Sequence, residues 1–535
     1  MKEIEYHEIR KRQFRFSYTA YGQNLFTLGT NGVITNVTSS SGLAWTQISA
    51  GITNAGLWQG TDGSITFQLW ANTVTGAIIV ATGPTWSGIG ASNITATSAM
   101  GYATLSGTNA DVYLFWDTSD KGTNSPSAWS HTNYVGANVS TGLIEGVVMS
   151  NLTSATAYRY RFYGTNTTSG AIGWSDMGLF ITLIQTYDWT NSAGGTFATP
   201  GNWNPAGPPA VTEPAMFGLG AVNYTVNFGG AAASSVVLVT NQNAVTFDLG
   251  GYTYTANDGG QELCVGSNAT DNVKLTITRG RFSSSGGGTI VVGANNSTAT
   301  LQVDDSGGSA GSVVLGGSPS DRPLTVGANG TLIVSGPGSY VGAAAYAINA
   351  QAGSLIVLTN GGALSIANMD AWGTLIGTLI VDGAGSVLTN YSNLLRMLSS
   401  GAGMATVRNG GRMQNAGTYE LGVSSGSGKF MIGNGSANTS IVEGTTLLFG
   451  TTFDPGRGSP EVTINSAGLF RATATANSVF IYDLGTLTMN GGIVELTATG
   501  QVIVADINST GSKGLLRGSG TFKRYTGTTP FAMLN

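Results

Sequence analysis

From residue 211 onward the chain repeats one local form: a few residues alternating apolar and polar, a corner of Gly, Asn or Ser, then another short alternating run. In TLIVS, Leu332 and Val334 fall on one face and Ile333 on the other, the period of two that marks a half-buried strand. Runs such as LCVGSNATDNVKLTITRG, TIVVGANNSTATLQVDD, SLIVLTNGGALSI and EVTINSAGLFRAT are further examples of the form. They recur at roughly 20 to 35 residues, the range of one coil in a stacked repeat. A coil of that size cannot bury enough apolar area to fold alone, whereas stacked coils can. The pattern therefore predicts a long parallel β-solenoid (β-helix) over 211–535, with roughly 10 to 15 coils at that period and rungs about 4.8 Å apart. Gly-Gly, Asn-Gly and Gly-Ala-Gly corners would supply the positive φ angles that each bend requires.

The N-terminal part is patterned differently. Nine of the ten tryptophans precede residue 204, and large aromatics suit the deep core of a sandwich better than the narrow interior of a coil. Alternation in FRFSYTA (Phe14, Phe16, Tyr18) and SITFQLWANT (Ile65, Phe67, Leu69), with further runs in GLAWTQISAGI and AIIVATG, predicts a β-sandwich-like module of unknown type over 1–90. Strand candidates at sandwich spacing fill 91–183. A Gly/Pro-rich segment, 184–210, leads from these into the repeats. The expected fold class is all-β: N-terminal β-sandwich domains followed by a long parallel β-solenoid.

Within 91–183, the segment NLTSATAYRYRFYGTN resembles the fibronectin type III pattern: Leu152, Thr156, Tyr158 at the place of the tyrosine corner, then alternating Tyr160 and Phe162. The resemblance implies that Trp116 is the buried sandwich tryptophan, that Phe180 to Thr182 is the closing strand, and that the domain is a spacer or binding module. The second half, with AMFGLGAVNYTVNF and VTFDLGGYTYT after Trp189 and Trp203, resembles in repeat style the glycine-rich regions of bacterial autotransporter-passenger and adhesin-type surface proteins. It lacks the series of amphipathic strands that a C-terminal membrane barrel would need.

Composition narrows the chemistry. Charged residues are 9% of the chain and glycines number 81, well below and about twice the usual shares. That excludes a coiled coil and charged disorder. A net charge of -5 gives no electrostatic footprint for nucleic acid or an anionic membrane. One cysteine and two histidines leave no disulfide framework and no Cys/His zinc site. Few charges also fit a stack in which like residues meet like, where a charge would sit near others of its own sign. The low-charge Thr/Asn/Gly-rich surface reads as extracellular or cell-surface. The charged N-terminus MKEIEYHEIRKRQFRF is no signal peptide, and the chain stops inside the repeat pattern, so an incomplete gene product is expected. An intact protein exported without a leader, or a virion component, is the alternative.

Catalysis is not expected. His7 and His131 both lie outside the solenoid, which removes Ser/His/Asp chemistry and the Asp/His clusters of pectin-degrading β-helix hydrolases. A His-free polysaccharide lyase is the enzymatic alternative, with Asp304 and Asp305 as carboxylates and Arg279, Arg281, Arg408 or Arg412 as base. Neighbouring residues in a strand face opposite sides, so Asp304 and Asp305 would serve Ca²⁺ only from a turn. In the sandwich, Asp117 and Asp120 of DTSDKG read as a solvated turn, with a cation or sugar site as the sharper alternative. Cys264 reads as a small core residue. Sequons such as Asn151 and Asn329 are expected by chance in so Asn/Thr-rich a chain. No catalytic, metal or cofactor site is assigned. The function expected is a structural or adhesive surface protein with a rigid solenoid stalk, its partners glycans or other copies of the chain. A glycan-binding viral tail-spike or fibre is a further alternative.

Overall fold

The computed structural model describes residues 83–167, 170–284, 288–315, 324–343, 348–366, 377–391, 394–397, 403–422, 427–449, 459–475, 478–497, 499–504, 514–524 and 533–534. It also gives the backbone of strands Phe26–Leu28, Ile34–Val37, Ala44–Ser49, Ala55–Thr61, Thr66–Asn72 and Ile78–Ile79. Among the described residues the protein is β throughout, with three short 3₁₀ turns and no α-helix. It divides into two compact units, 1–185 and 186–535.

In the first unit, Phe26–Leu28 pairs with Ile34–Val37, and the other four N-terminal strands form an antiparallel meander. The runs read from GLAWTQISAGI, SITFQLWANT and AIIVATG lie on strands of this meander, whereas FRFSYTA lies outside the described residues. Seven further strands make a two-sheet sandwich. Thr85–Ser92, Ala99–Ser106 and Gly142–Met149 form one sheet. His131–Val139, Ala110–Asp117, Ala157–Asn166, and the broken edge strand Ile172–Trp174 with Gly178–Ile181 form the other. Strict alternation drives the inner faces together: Leu114, Trp116, Tyr160 and Phe162 pack on Ala103, Leu105, Ile144 and Met149. Trp116 is buried. The Tyr158 hydroxyl accepts the Thr153 amide at 2.9 Å, five residues upstream, in the manner of a tyrosine corner. Phe180 stacks on Tyr158 at 5.8 Å, and Thr182 donates to the Thr153 carbonyl at 2.6 Å. The sandwich begins with Thr85, ahead of residue 91.

The second unit is a parallel β-solenoid of about 11 turns. Most coils contribute three short strands among the described residues, and strands in equivalent places pair in parallel from coil to coil. Coil length is uneven: Asn223 pairs with Ala244, 21 residues on, while Lys429 pairs with Glu461, 32 residues on. One inward row runs Tyr224, Val245, Leu275, Leu301, Leu332, Ile356, Leu379, Ala405, Phe430, Val462, Leu487, all buried. Leu332 and Val334 point in and Ile333 points out, as the alternation predicts. Corners behave as their residues require. Asn360 and Gly361, like Asn409 and Gly410, have consecutive positive φ values of 51° and 91° and of 55° and 91°, which Asn-Gly tolerates at little steric cost.

The segment 184–210 supplies strands of its own to this stack. Tyr187–Trp189 pairs in parallel with Ala215–Phe217 and antiparallel with Trp203–Asn204. Its aromatics plug the end of the apolar column. Trp189 meets Trp203 edge to face at 5.2 Å, and Phe197 stacks on Phe228 at 4.8 Å. The Trp189 and Trp203 indoles donate to the Asn191 and Phe197 carbonyls. Large rings therefore close the first coils, where no preceding coil covers the core.

Candidate functional site

The solenoid arginines named as candidate bases do not converge on one groove. Arg279 is ion-paired with Asp248, Arg408 with Asp382 at 2.8 Å, and Arg412 with Glu443 at 3.3 Å, while Arg281 is exposed on a separate strand. The pairs join successive coils. Asp382 and Arg408 are register partners, as are Glu443 and Arg471, Arg471 and Glu495, and Glu495 and Lys523. Arg471 bonds Glu443 at 3.2 Å and Glu495 at 2.6 Å, and Lys523 reaches Glu495 at 2.8 Å. Charges stacked on successive coils thus alternate in sign, which corrects the expectation of like beside like.

Asp304 and Asp305 follow the strand Thr298–Val303 and lead into a turn that the Asp305 carbonyl closes with the Gly308 amide, and their carboxylates go separate ways. Asp304 is buried and accepts from the Ser306 amide at 3.1 Å, the Ser306 hydroxyl at 2.7 Å and the Gln302 amide at 2.5 Å. Asp305 is exposed. Among the described residues no three His, Cys, Asp or Glu side chains gather as a metal site would require. Cys264 is buried, its thiol directed at the Gly266 carbonyl, and desolvation, helped by the charge of Asp271, pushes its pKa to about 11. The outer face of the first coils holds a shallow cleft of about 410 Å³ lined by Asn223, Thr225, Thr246, Lys274 and Thr276 among others. Its walls are mostly amides and hydroxyls.

In the sandwich, the carboxylates of DTSDKG are engaged by the protein. Asp117 accepts from the Ser130 amide at 3.2 Å and the Ser130 hydroxyl at 2.5 Å. Burial would raise its pKa, and these bonds with those from Ser119 and Thr118 bring it down to about 2. Asp120 takes a two-point bond from Arg161 at 3.0 and 2.7 Å, which, against a smaller desolvation cost, holds its pKa below the ordinary value. Both bonds fasten the loop 118–130 to the sheet. His131 stacks on Trp116 at 5.5 Å, and His7 lies outside the described residues.

That loop borders a feature not singled out from the sequence. On the outer face of the four-strand sheet, Tyr134, Tyr113, Tyr163 and Trp174 are successive register partners, one from each strand. Their ring centroids are 4.8, 6.3 and 4.6 Å apart. Phe115 adds a ring 5.5 Å from Trp174, and Trp129 of the loop stacks on Trp174 at 6.5 Å. The signal was present in VYLFWD, where Tyr113 and Phe115 face outward between Leu114 and Trp116, and in the outward Tyr163 of YRYRFYG, but only the inner set was needed to explain the core.

No family model and no curated protein matches the chain. Among solved structures it is similar to a crystal structure of a multi-domain titin fragment, at 13% identity and TM-score 0.14, over 28% of this chain and 52% of that one. The chain therefore spans about half the length of that fragment. It is also similar to a TibC-catalysed, hyper-glycosylated fragment of TibA, at 17% identity and TM-score 0.23, over 58% of this chain and 97% of that one.

Proposed function

We propose that this chain is a structural and adhesive protein of the cell surface or extracellular space, in which the solenoid is a rigid stalk and performs no catalysis. The observation that carries this is the disposition of polar groups on the solenoid. Its cleft is walled mainly by Thr, Asn and small residues, and Arg279, Arg408, Arg412 and Arg471 are paired to acidic residues of neighbouring coils. Coils stacked through parallel ladders about 4.8 Å apart give about 11 turns a length of about 50 Å. One continuous apolar column runs through that length, so bending it would break packing in every coil it crosses. A stalk of this kind acts by holding weak binding groups in fixed array, where several shallow contacts combine into useful avidity.

The test is to incubate the purified full chain with neutral and acidic polysaccharides, with and without Ca²⁺. Retention on immobilised polysaccharide is read beside new reducing ends and unsaturated uronates. The proposal expects retention and no cleavage at either Ca²⁺ level. New reducing ends above those from buffer would overturn it.

A further inference from the structure

We infer that the outer face of the sandwich sheet is a binding site for a neutral pyranose chain, laid across the strands along Tyr134, Tyr113, Tyr163 and Trp174. This rests on the adhesive reading and places the adhesion in the sandwich.

Aromatic rings on a β-sheet ordinarily serve the core, and here the core has its own set on the opposite face. Along Tyr134, Tyr113 and Tyr163 the row has no apolar layer above it among the described residues, Tyr134 being 51% exposed and Tyr113 and Tyr163 half-buried, while at the other end Trp129 covers part of Trp174 and Phe115 is buried beside them. The three tyrosine hydroxyls make no hydrogen bond to any described residue. A surface that is apolar along its middle and carries hydroxyls at its edge matches a sugar ring, whose C–H face is apolar and whose rim is all hydroxyl. The negative faces of the rings attract the slightly positive C–H groups.

Spacing and tilt specify the shape of the ligand. Adjacent strands lie about 4.8 Å apart, close to the length of one pyranose unit, so each strand offers one ring per sugar. Successive rings are inclined at 45°, 54° and 55°. Such a row fits one twisting chain and does not fit a flat crystalline face, which needs coplanar rings.

Charge specifies its class. The cations beside the row are committed to the protein: Arg161 to Asp120 and the Ser175 carbonyl, Arg159 to the Thr118 carbonyl at 2.7 Å. Asp111, which faces Thr165 across the next register position, holds the Asn138 amide at 2.8 Å and brings a negative charge to the border. An acidic glycan would meet that carboxylate, with the Arg161 charge already offset by Asp120 and Arg159 held at the Thr118 carbonyl, so a neutral chain is favoured. The end of the row is fixed in advance. Asp117–Ser130, Asp120–Arg161 and the Trp129 indole bond to the Gly122 carbonyl hold the loop 118–130, so that Trp129 forms a wall against Trp174.

The experiment titrates the full chain with cellohexaose, xylohexaose, mannohexaose and oligogalacturonate, followed by calorimetry and tryptophan fluorescence. At least one neutral hexasaccharide should bind and change the fluorescence, and oligogalacturonate should bind at least tenfold more weakly. Tyr134→Ala, which removes an exposed ring, and Tyr163→Ala should each weaken neutral binding about tenfold. A triple Tyr→Phe variant at 113, 134 and 163 keeps the rings and should lose less. Circular dichroism confirms that each variant is folded, and Tyr134→Ala serves if Tyr163→Ala is not. Glycan binding that these variants leave unchanged would overturn the site while leaving the adhesive reading intact. Failure of the intact chain to bind any of the sugars, with retention on other polysaccharides preserved, would overturn the site. Loss of both would overturn both.

Discussion

Glu443 and Arg471 are register partners on successive coils of the solenoid, and their side chains meet at 3.2 Å. Arg471 continues to Glu495 on the following coil, and Glu495 to Lys523 on the next. The result is a ladder of alternating sign in which Arg471 and Glu495 each have opposite charges above and below. The side chain of Glu495 is only 6% exposed, so its partners cannot be replaced by water.

Removing Arg471 should therefore cost more than an exposed pair would. Arg471→Met is expected to destabilise the solenoid by about 3 kcal/mol, the low end of the range for breaking a buried pair, because Lys523 still reaches Glu495. Arg471→Met with Glu495→Met should recover much of that. Denaturant unfolding of the single and double variants measures it. Acid should act on the same contact. Burial raises the Glu495 pKa, but bonds from Lys523 and Arg471 outweigh it and leave it lowered. A depressed carboxylate contributes stability that is present above the ordinary glutamate range and lost as pH falls through its folded value. Glu495→Gln should flatten that part of the pH dependence.

A second ladder is neutral. Asn390 and Asn415 are buried register partners, and the Asn390 amide donates to the Asn415 carbonyl oxygen at 2.9 Å, an oxygen that also accepts the Gly417 amide. Asn415→Ala takes the acceptor from the Gly417 amide and leaves the Asn390 amide only its bond to the Leu394 carbonyl, and is expected to cost about 1 to 3 kcal/mol. A double-mutant cycle with Asn390→Ala should show coupling between the two positions, read from denaturant midpoints.

In the sandwich, the hydrogen bonds that lower Asp117 from 3.8 to about 2 correspond to about 2 kcal/mol of stability at neutral pH. The sign follows from the lowered value: the contribution is complete above pH 4 and disappears as pH falls from there through about 2. Asp117→Asn should remove this acid-sensitive step from the sandwich. Unfolding followed by tryptophan fluorescence between pH 6 and 2 measures it, since Trp116 packs in the same core.

Much of the solenoid was legible because its rule is local. Leu332 and Val334 inward with Ile333 outward, and the Asn360–Gly361 corner, each follow from a few adjacent residues. What escaped depends on register between distant residues. Glu443 finds Arg471 28 positions on, and Arg471 finds Glu495 after 24, because coil lengths differ. Without a strict period, no spacing rule reveals that the signs alternate. The aromatic row escaped for the same reason: it gathers one ring from each of four strands, aligned only by pairing. The plug at Trp189 and Trp203 was hidden in a Gly/Pro-rich segment that reads as linker by composition while its aromatics close the stack.

The central claim is a rigid stack of coils in fixed register, and a distance along its outer face tests it most directly. Thr246 and Thr463 occupy the same outward column, linked through Thr276, Gln302, Ile333, Val357, Ile380, Thr406 and Met431. Eight rung spacings separate them, about 40 Å. Spin labels at Thr246→Cys and Thr463→Cys, in a chain carrying Cys264→Ala, should give one narrow distance distribution near that value by pulsed electron paramagnetic resonance. A broad distribution, or a peak far from it, would contradict the stalk.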